Sequence, residues 1–267
     1  TLDPVGVASA LSGRTKAIVS VDLFGVVHDL DPLRRAAPEV AVIEDAAQAL
    51  GAALGAKSAG TLGNMGTFSF FPSKALGAAG DGGACVTDDP SVADRIRRIR
   101  NHGSGRTYAW EMRGGNYRLD ALQAALLGVK LTTLPARLAR RRAIGARLVA
   151  AARGAGLTPL VGATSCAPMF APLALRVTAG GPKAAPSHSA AGRDELLARL
   201  RDAGIDARVH YPTTLAASPA FAHYAAGRSF PESERATREL LSVPCHPEMT
   251  DEEVTFLERE LCSNTQF

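Results

Sequence analysis

At 267 residues the chain is long enough to bury a sizeable core, as one large domain or two modest ones. Its 46% hydrophobic and 21% charged residues are those of an ordinary globular protein, and no apolar run approaches the roughly 20 residues of a membrane span. The net charge of +4 does not argue for a nucleic-acid partner, because the one dense basic run, Arg137, Arg140, Arg141 and Arg142, has no interleaved aromatics and reads as a solvated helix face.

Residues 15–24 read as a buried strand stopped by Gly25, and Asp31-Pro32 starts a short helix that runs through Arg35. Val40 to Ile43 is a second buried strand, short and rich in β-branched residues, ending at Glu44-Asp45. Ligands of open α/β sheets gather beyond the carboxyl ends of strands, so Asp45 faces a usual site; it could equally cap the Ala-rich turn that follows. From Thr67 to Phe71 the alternation of Thr67, Ser69 and Phe71 with Phe68 and Phe70 is that of a strand between two packed layers, ended by Pro72. Lys74 falls in the loop beyond it. Gly77, Gly80, Gly82 and Gly83 then turn the chain into a further strand over Ala84 to Thr87. A lysine held between strands, with a hydroxyl five residues upstream and glycines that permit close backbone approach, suits a Schiff-base lysine; taken alone it is also an ordinary solvated lysine.

Asp88-Asp89-Pro90 is a strong helix start; Val92, Ile96 and Ile99 recur at helical spacing, Gly103 ends the helix, and Arg95, Arg97, Arg98 and Arg100 face solvent. A long helical pattern covers Leu119 to Leu131 and resumes after Pro135 to about Arg153, with Pro135 kinking or breaking it. Further on, Leu173, Leu175 and Val177 share a strand face, Ala179 to Gly192 is loop by composition, and Arg193 to Ala203 is a helix closed by Gly204. Ile205, Ala207, Val209 and Tyr211 alternate as the next strand, and Thr250 with Glu253 forms a capping box for a last helix. No spacing among the six histidines suits a metal. Cys85, Cys166, Cys245 and Cys262 are widely spaced and no signal peptide is visible, which implies free thiols in the reducing cytoplasm.

Three runs in this order, Val42-Ile43-Glu44-Asp45-Ala46-Ala47-Gln48, Phe68-Ser69-Phe70-Phe71-Pro72-Ser73-Lys74 and Gly114-Gly115-Asn116-Tyr117-Arg118-Leu119-Asp120, resemble the DegT/DnrJ/EryC1/StrS sugar aminotransferases. The resemblance runs from Thr1 to about Leu261. It implies an α/β protein of the fold type I class of pyridoxal 5′-phosphate (PLP) enzymes. An incomplete large domain with a mixed, mostly parallel sheet would span residues 1–135, and a smaller C-terminal α/β domain residues 136–267. It implies amination of a nucleotide-linked keto sugar, of the kind used in cell envelopes or antibiotics, with glutamate or glutamine as amino donor. By the same resemblance Lys74 binds the cofactor aldehyde and shuttles the proton, Asp45 pairs with the pyridinium nitrogen and Gln48 lies against the ring. Ser69 donates to the phosphate, and Asn116 reaches the phosphate in a neighbouring subunit, which implies a homodimer with a shared active site. Gln48 and Asn116 could also be plain turn or helix-surface residues. His210-Tyr211-Pro212 matches a family segment at a strand end near the substrate, although His210 could equally be structural.

The family carries a further N-terminal segment with a phosphate loop and a ring-stacking aromatic, and the residues from Thr1 onward follow both. The expectation is therefore an N-terminally truncated chain that binds PLP weakly, is inactive alone and tends to associate. Ala167 to Pro172 and Leu215-Ala216-Ala217 replace segments that are usually more polar in the family. Two alternatives stand beside the aminotransferase reading. One is a family member with sugar dehydratase activity, in which a histidine takes the place of the lysine; Lys74 counts against it. The other is a non-catalytic truncated remnant.

Overall fold

In the computed structural model, which describes residues 2–106, 108–178 and 191–263, a four-stranded sheet and the loops at its strand ends carry Asp45, Gln48, Ser69 and Lys74. Its strands are β1 (Ala17–Val21), β2 (Ala41–Asp45), β3 (Met65–Ser69) and β4 (Gly83–Val86), side by side in that order. β1, β2 and β3 run parallel and β4 returns antiparallel to β3, so the sheet is mixed and mostly parallel, as expected. Register places Val21, Asp45 and Thr67 in one row and Ser20, Glu44 and Gly66 in the next. Because side chains alternate across a pleated strand, these two rows face opposite sides.

The two faces differ in covering. On one, Ile18 and Val42 pack with Val27, Leu30, Leu33, Ala59, Leu62 and Met169 into a buried cluster that Phe68 joins. Full burial of each aliphatic side chain contributes on the order of 1.5–3 kcal/mol. On the other face Val19 and Val21 are exposed, while Thr67 and Ser69 are half-buried, so apolar surface is left open at β1. The strand that carries Phe68 also begins two residues earlier than the alternation suggested and stops at Ser69. Phe70 and Phe71 therefore belong to the loop; Phe71 is exposed, and the backbone of Phe70 bonds to Gly82 and Ala78.

Helix α1 (Pro90–Arg100) starts where Asp89 accepts the N–H groups of Ser91 at 2.7 Å and Val92 at 3.3 Å. Its Arg98 is not simply solvated but pairs with Asp94 and Glu111. Beyond a hairpin of Ser104–Arg106 and Ala109–Trp110, α2 (Ala121–Leu131) is capped by Asp120. The break before α3 (Leu134–Gly154) falls at Thr132-Thr133, so Pro135 sits in the first turn of the new helix, where its missing N–H leaves no bond unmade.

The chain forms two compact units that do not follow one cut: Thr1–Ala139 with Val161–Ala171, and Arg140–Leu160 with Pro172–Phe267. In the second unit, β5 (Thr158–Pro159), β6 (Leu173–Arg176) and β7 (Leu240–Val243) form an antiparallel sheet in the order β7-β6-β5. Leu148, Leu175, Leu196, Leu200, Leu241, Leu257 and Leu261 are among its fully buried side chains, from α3, α4 (Ala191–Asp202), the sheet and α5 (Asp251–Cys262). The capping box of α5 is formed, Glu253 N–H to Thr250 Oγ1 at 3.1 Å and Thr250 N–H to Glu253 Oε2 at 2.8 Å.

Two expectations for this unit fail. Arg141 is buried rather than solvated, while Arg140 donates to the Met249 carbonyl and to Asp251. The alternation from Ile205 to Tyr211 makes no strand, because Ile205 and Ala207 donate to the carbonyls of Leu200 and Ile205; only Arg208 bridges to Ser242. The expected loop over 179–192 lies outside the described residues as far as 190.

Candidate active site

Asp45 ends β2 and is half-buried on the uncovered face of the sheet. Its Oδ1 accepts the Ala47 N–H at 3.1 Å, so it does cap the turn that follows, and among the described residues Oδ2 has no donor. One carboxylate oxygen thus fixes the side chain and the other is left for a ligand. The backbone around it is held from both neighbouring strands, Asp22 N–H to the Asp45 carbonyl at 3.0 Å and Ala46 N–H to the Thr67 carbonyl at 2.9 Å.

Lys74 lies in the loop between β3 and β4, its N–H bonded to the Phe71 carbonyl at 2.9 Å. The loop is anchored on both sides of it: Ala78 donates to the Phe70 carbonyl at 2.7 Å, Ala79 donates to Gln123 Oε1 at 2.8 Å, and Leu76 and Ala78 are buried. Burial lowers the pKa of the Lys74 amine, while the charge of Asp45 acts to raise it. The two groups are therefore close enough for the charge of one to act on the other. An amine whose charged form is disfavoured by desolvation is the form that attacks a carbonyl.

Ser69 ends β3 opposite Gly83, and its Oγ accepts the Phe71 N–H at 3.3 Å, which leaves the hydroxyl proton free to donate. Gln48 is half-buried in the turn after β2, where its Oε1 accepts the Phe24 N–H at 2.6 Å. Phe24 has φ 61°, a left-handed conformation uncommon for a residue other than glycine, so Gln48 holds a strained turn. Its amide nitrogen remains for another partner. Asn116 is exposed, bridges to Asn101, and accepts the Arg118 Nε–H at 3.1 Å; among the described residues nothing connects it with Lys74. His210 belongs to the second unit, where it is half-buried, its Nδ1 has no partner and burial lowers its pKa.

Glu44 is the residue that sequence reasoning named only as part of a motif. It is fully buried, its Oε1 accepts the Gly60 N–H at 2.7 Å, and its Oε2 accepts those of Leu62 at 2.8 Å and Gly63 at 3.3 Å. Its signal was position: it alternates with Val42 and so had to share the covered face. The side chains at these strand ends and in the loops beyond them, an amine, a half-free carboxylate, a hydroxyl and an amide, are of the kinds that fit the groups of a pyridoxal cofactor.

The sequence model of the DegT/DnrJ/EryC1/StrS aminotransferase family matches residues 1–259, and the chain belongs to this family. It is 38% identical over 252 residues to the dTDP-3-amino-3,4,6-trideoxy-alpha-D-glucose transaminase of Streptomyces venezuelae, covering 93% of this chain and 63% of the relative. It is 36% identical over 249 residues to the UDP-2-acetamido-2-deoxy-3-oxo-D-glucuronate aminotransferase of Pseudomonas aeruginosa, covering 92% of this chain and 65% of that one. The chain therefore spans somewhat under two thirds of the length of these curated relatives. The crystal structure of S. venezuelae DesV in complex with a ketimine intermediate superimposes with a TM-score of 0.88 at 36% identity, covering all of this chain and 70% of that one. The fold is that of the PLP-dependent aminotransferases of this family.

Proposed function

We propose that the protein is a PLP-dependent aminotransferase of a nucleotide-linked keto sugar, working in the cytoplasm as a homodimer with glutamate or glutamine as amino donor. The observation that carries the reading is the placing of Lys74, half-buried in the anchored loop that follows β3, with Asp45 at the carboxyl end of the neighbouring β2 near enough for its charge to act on the amine. Relatives named for dTDP- and UDP-linked sugars support the substrate class.

When bound, pyridoxal phosphate supplies an electron sink that acidifies the α-carbon of an amino acid. This chain's residues do the rest. Lys74 would hold the cofactor through its amine and would serve as the base and acid that moves a proton to and from the substrate α-carbon. The Oδ2 of Asp45 would hold a proton on the pyridine nitrogen. Ser69 would donate its hydroxyl proton to the phosphate, the Gln48 amide would lie against the ring, and Asn116 would serve the phosphate in a second subunit.

Borohydride reduction of the protein incubated with PLP, followed by peptide mass analysis, tests the assignment. The pyridoxyl group is expected on Lys74 and absent in Lys74→Ala; a label on Lys57 or Lys130 instead rejects it. Half-reactions with glutamate and with glutamine then identify the donor.

A further inference from the structure

Behind the Asp45 end of β2, on the covered face of the sheet, two more carboxyl groups meet that the mechanism above does not use. Asp22 follows β1 directly and is fully buried, and its side chain reaches that of Glu44, also fully buried. The pair is unequally provided for. Glu44 receives three backbone N–H groups, whereas among the described residues Asp22 is only approached by the backbone N–H of His28, short of a well-formed hydrogen bond. His28 Nδ1 stands 3.5 Å from Asp22 Oδ1 and is itself without a hydrogen-bond partner. Among the described residues, Asp45 and the Cys166 thiol also lie within the electrostatic reach of Asp22. Two buried carboxylates in contact, with no cation between them, cannot both be ionised. A proton held between them satisfies the orphaned oxygens of Asp22 and removes the repulsion together.

We propose that Asp22 and Glu44 hold one shared proton at neutral pH and act as a positioning unit for Asp45, placing a single buried negative charge behind β2 that reinforces the grip of Asp45 on a protonated pyridine nitrogen. This rests on the PLP reading of Asp45. The Asp22 backbone ties the unit to Asp45 through the 3.0 Å bond to its carbonyl, so charge and geometry are coupled to the same strand end. Burial, with the charge of Asp45 adding to it, pushes Asp22 up to about 6. Below that pH the pair takes a second proton and becomes neutral, leaving Asp45 alone to hold the ring nitrogen; above it the additional negative charge is present. Burial drives His28 down to about 4, so it stays neutral through this window and does not cancel the charge. The cysteine thiol, raised by burial, is neutral there as well.

Carbon-detected NMR titration of the side-chain carboxyls in the apoprotein tests the unit without cofactor or turnover. The pair is expected to show a step near pH 6 that is absent in Asp22→Asn and moves to lower pH in Asp45→Asn. The affinity for PLP, compared at pH 5 and pH 7.5, should improve with pH by roughly threefold more in the wild-type protein than in Asp22→Asn, the amount expected of one added charge seen through protein. Both carboxyls titrating at ordinary values, or a step indifferent to Asp45→Asn, would overturn the proposal. A coupled step near pH 6 in a protein that binds no PLP at either pH would support the carboxyl pair and overturn the cofactor reading instead. Asp45→Asn leaves the pair intact, so the apoprotein test stands even where Asp22→Asn does not fold.

Discussion

Gln48 Oε1 accepts the backbone N–H of Phe24 at 2.6 Å, which ties the turn after β2 to a left-handed residue just beyond β1. The side chain that the family resemblance sets against a cofactor ring is therefore also a structural clamp. Gln48→Ala should destabilise the apoprotein by about 1–2 kcal/mol, because a strained turn loses its bond and a half-buried donor is left unmet. Gln48→Glu keeps an acceptor for Phe24 but removes the amide donor. Thermal unfolding should separate the two variants, with the glutamate form near wild type in stability and altered only in cofactor binding.

Asp45→Asn should keep the fold, since the asparagine Oδ1 can still accept the Ala47 N–H. It should lose several orders of magnitude in kcat, because a neutral amide does not hold the ring nitrogen protonated. Circular dichroism and single-turnover kinetics on one preparation check both halves. An unfolded variant would reduce Asp45 to a cap.

Stability should depend on pH through two opposed groups. His28 is lowered to about 4 by burial, so its contribution is present above the ordinary 6.5 and is lost as pH falls toward 4. Asp22 is raised from 3.8 to about 6, so its contribution is present at low pH and is lost as pH rises through 6. Between pH 4 and 6 the two nearly cancel in the wild-type protein. Asp22→Asn should unmask the His28 slope, with stability falling by up to about 3 kcal/mol from pH 6.5 to 4. His28→Leu should show the reverse slope. Denaturant titrations at each pH measure both.

Gly77 allows the loop that carries Lys74 to close on itself: a Cβ there would stand 2.2 Å from the Pro72 carbonyl oxygen. Gly77→Ala should cost about 1–3 kcal/mol and reduce borohydride labelling of Lys74, as the loop must open. Gly128, inside α2 with open space where its Cβ would be, is the control; Gly128→Ala should stabilise by about 0.5–1 kcal/mol.

The sequence revealed the elements wherever local chemistry determined them. Asp89-Pro90 and the Thr250/Glu253 box set helix starts that the structure reproduces, and the β-branched run before Asp45 is the strand it suggested. It misled where long-range bonding decided. The Ile205 to Tyr211 alternation is strand-like, yet its backbone donors are taken locally, and Arg141 looked solvated because a run of arginines does not tell which one turns inward. On the candidate site, Lys74 and Asp45 were legible as a loop amine and a strand-end acid, and their electrostatic pairing followed from the fold. The Asp22–Glu44 contact was not, because it depends on two strands lying side by side in one particular register.

Glu44 and Asp45 are neighbours of the same charge with opposite environments, one enclosed by three N–H groups and the other open to a ligand. Slipping β2 by a single residue would exchange them, sending the shorter acid toward a cradle that requires the longer reach and the longer acid into the cofactor's place. The two neighbouring acids thus tie β2 to one alignment: a chain that paired this strand one residue out of step would give up both its internal anchor and its ligand-facing acid.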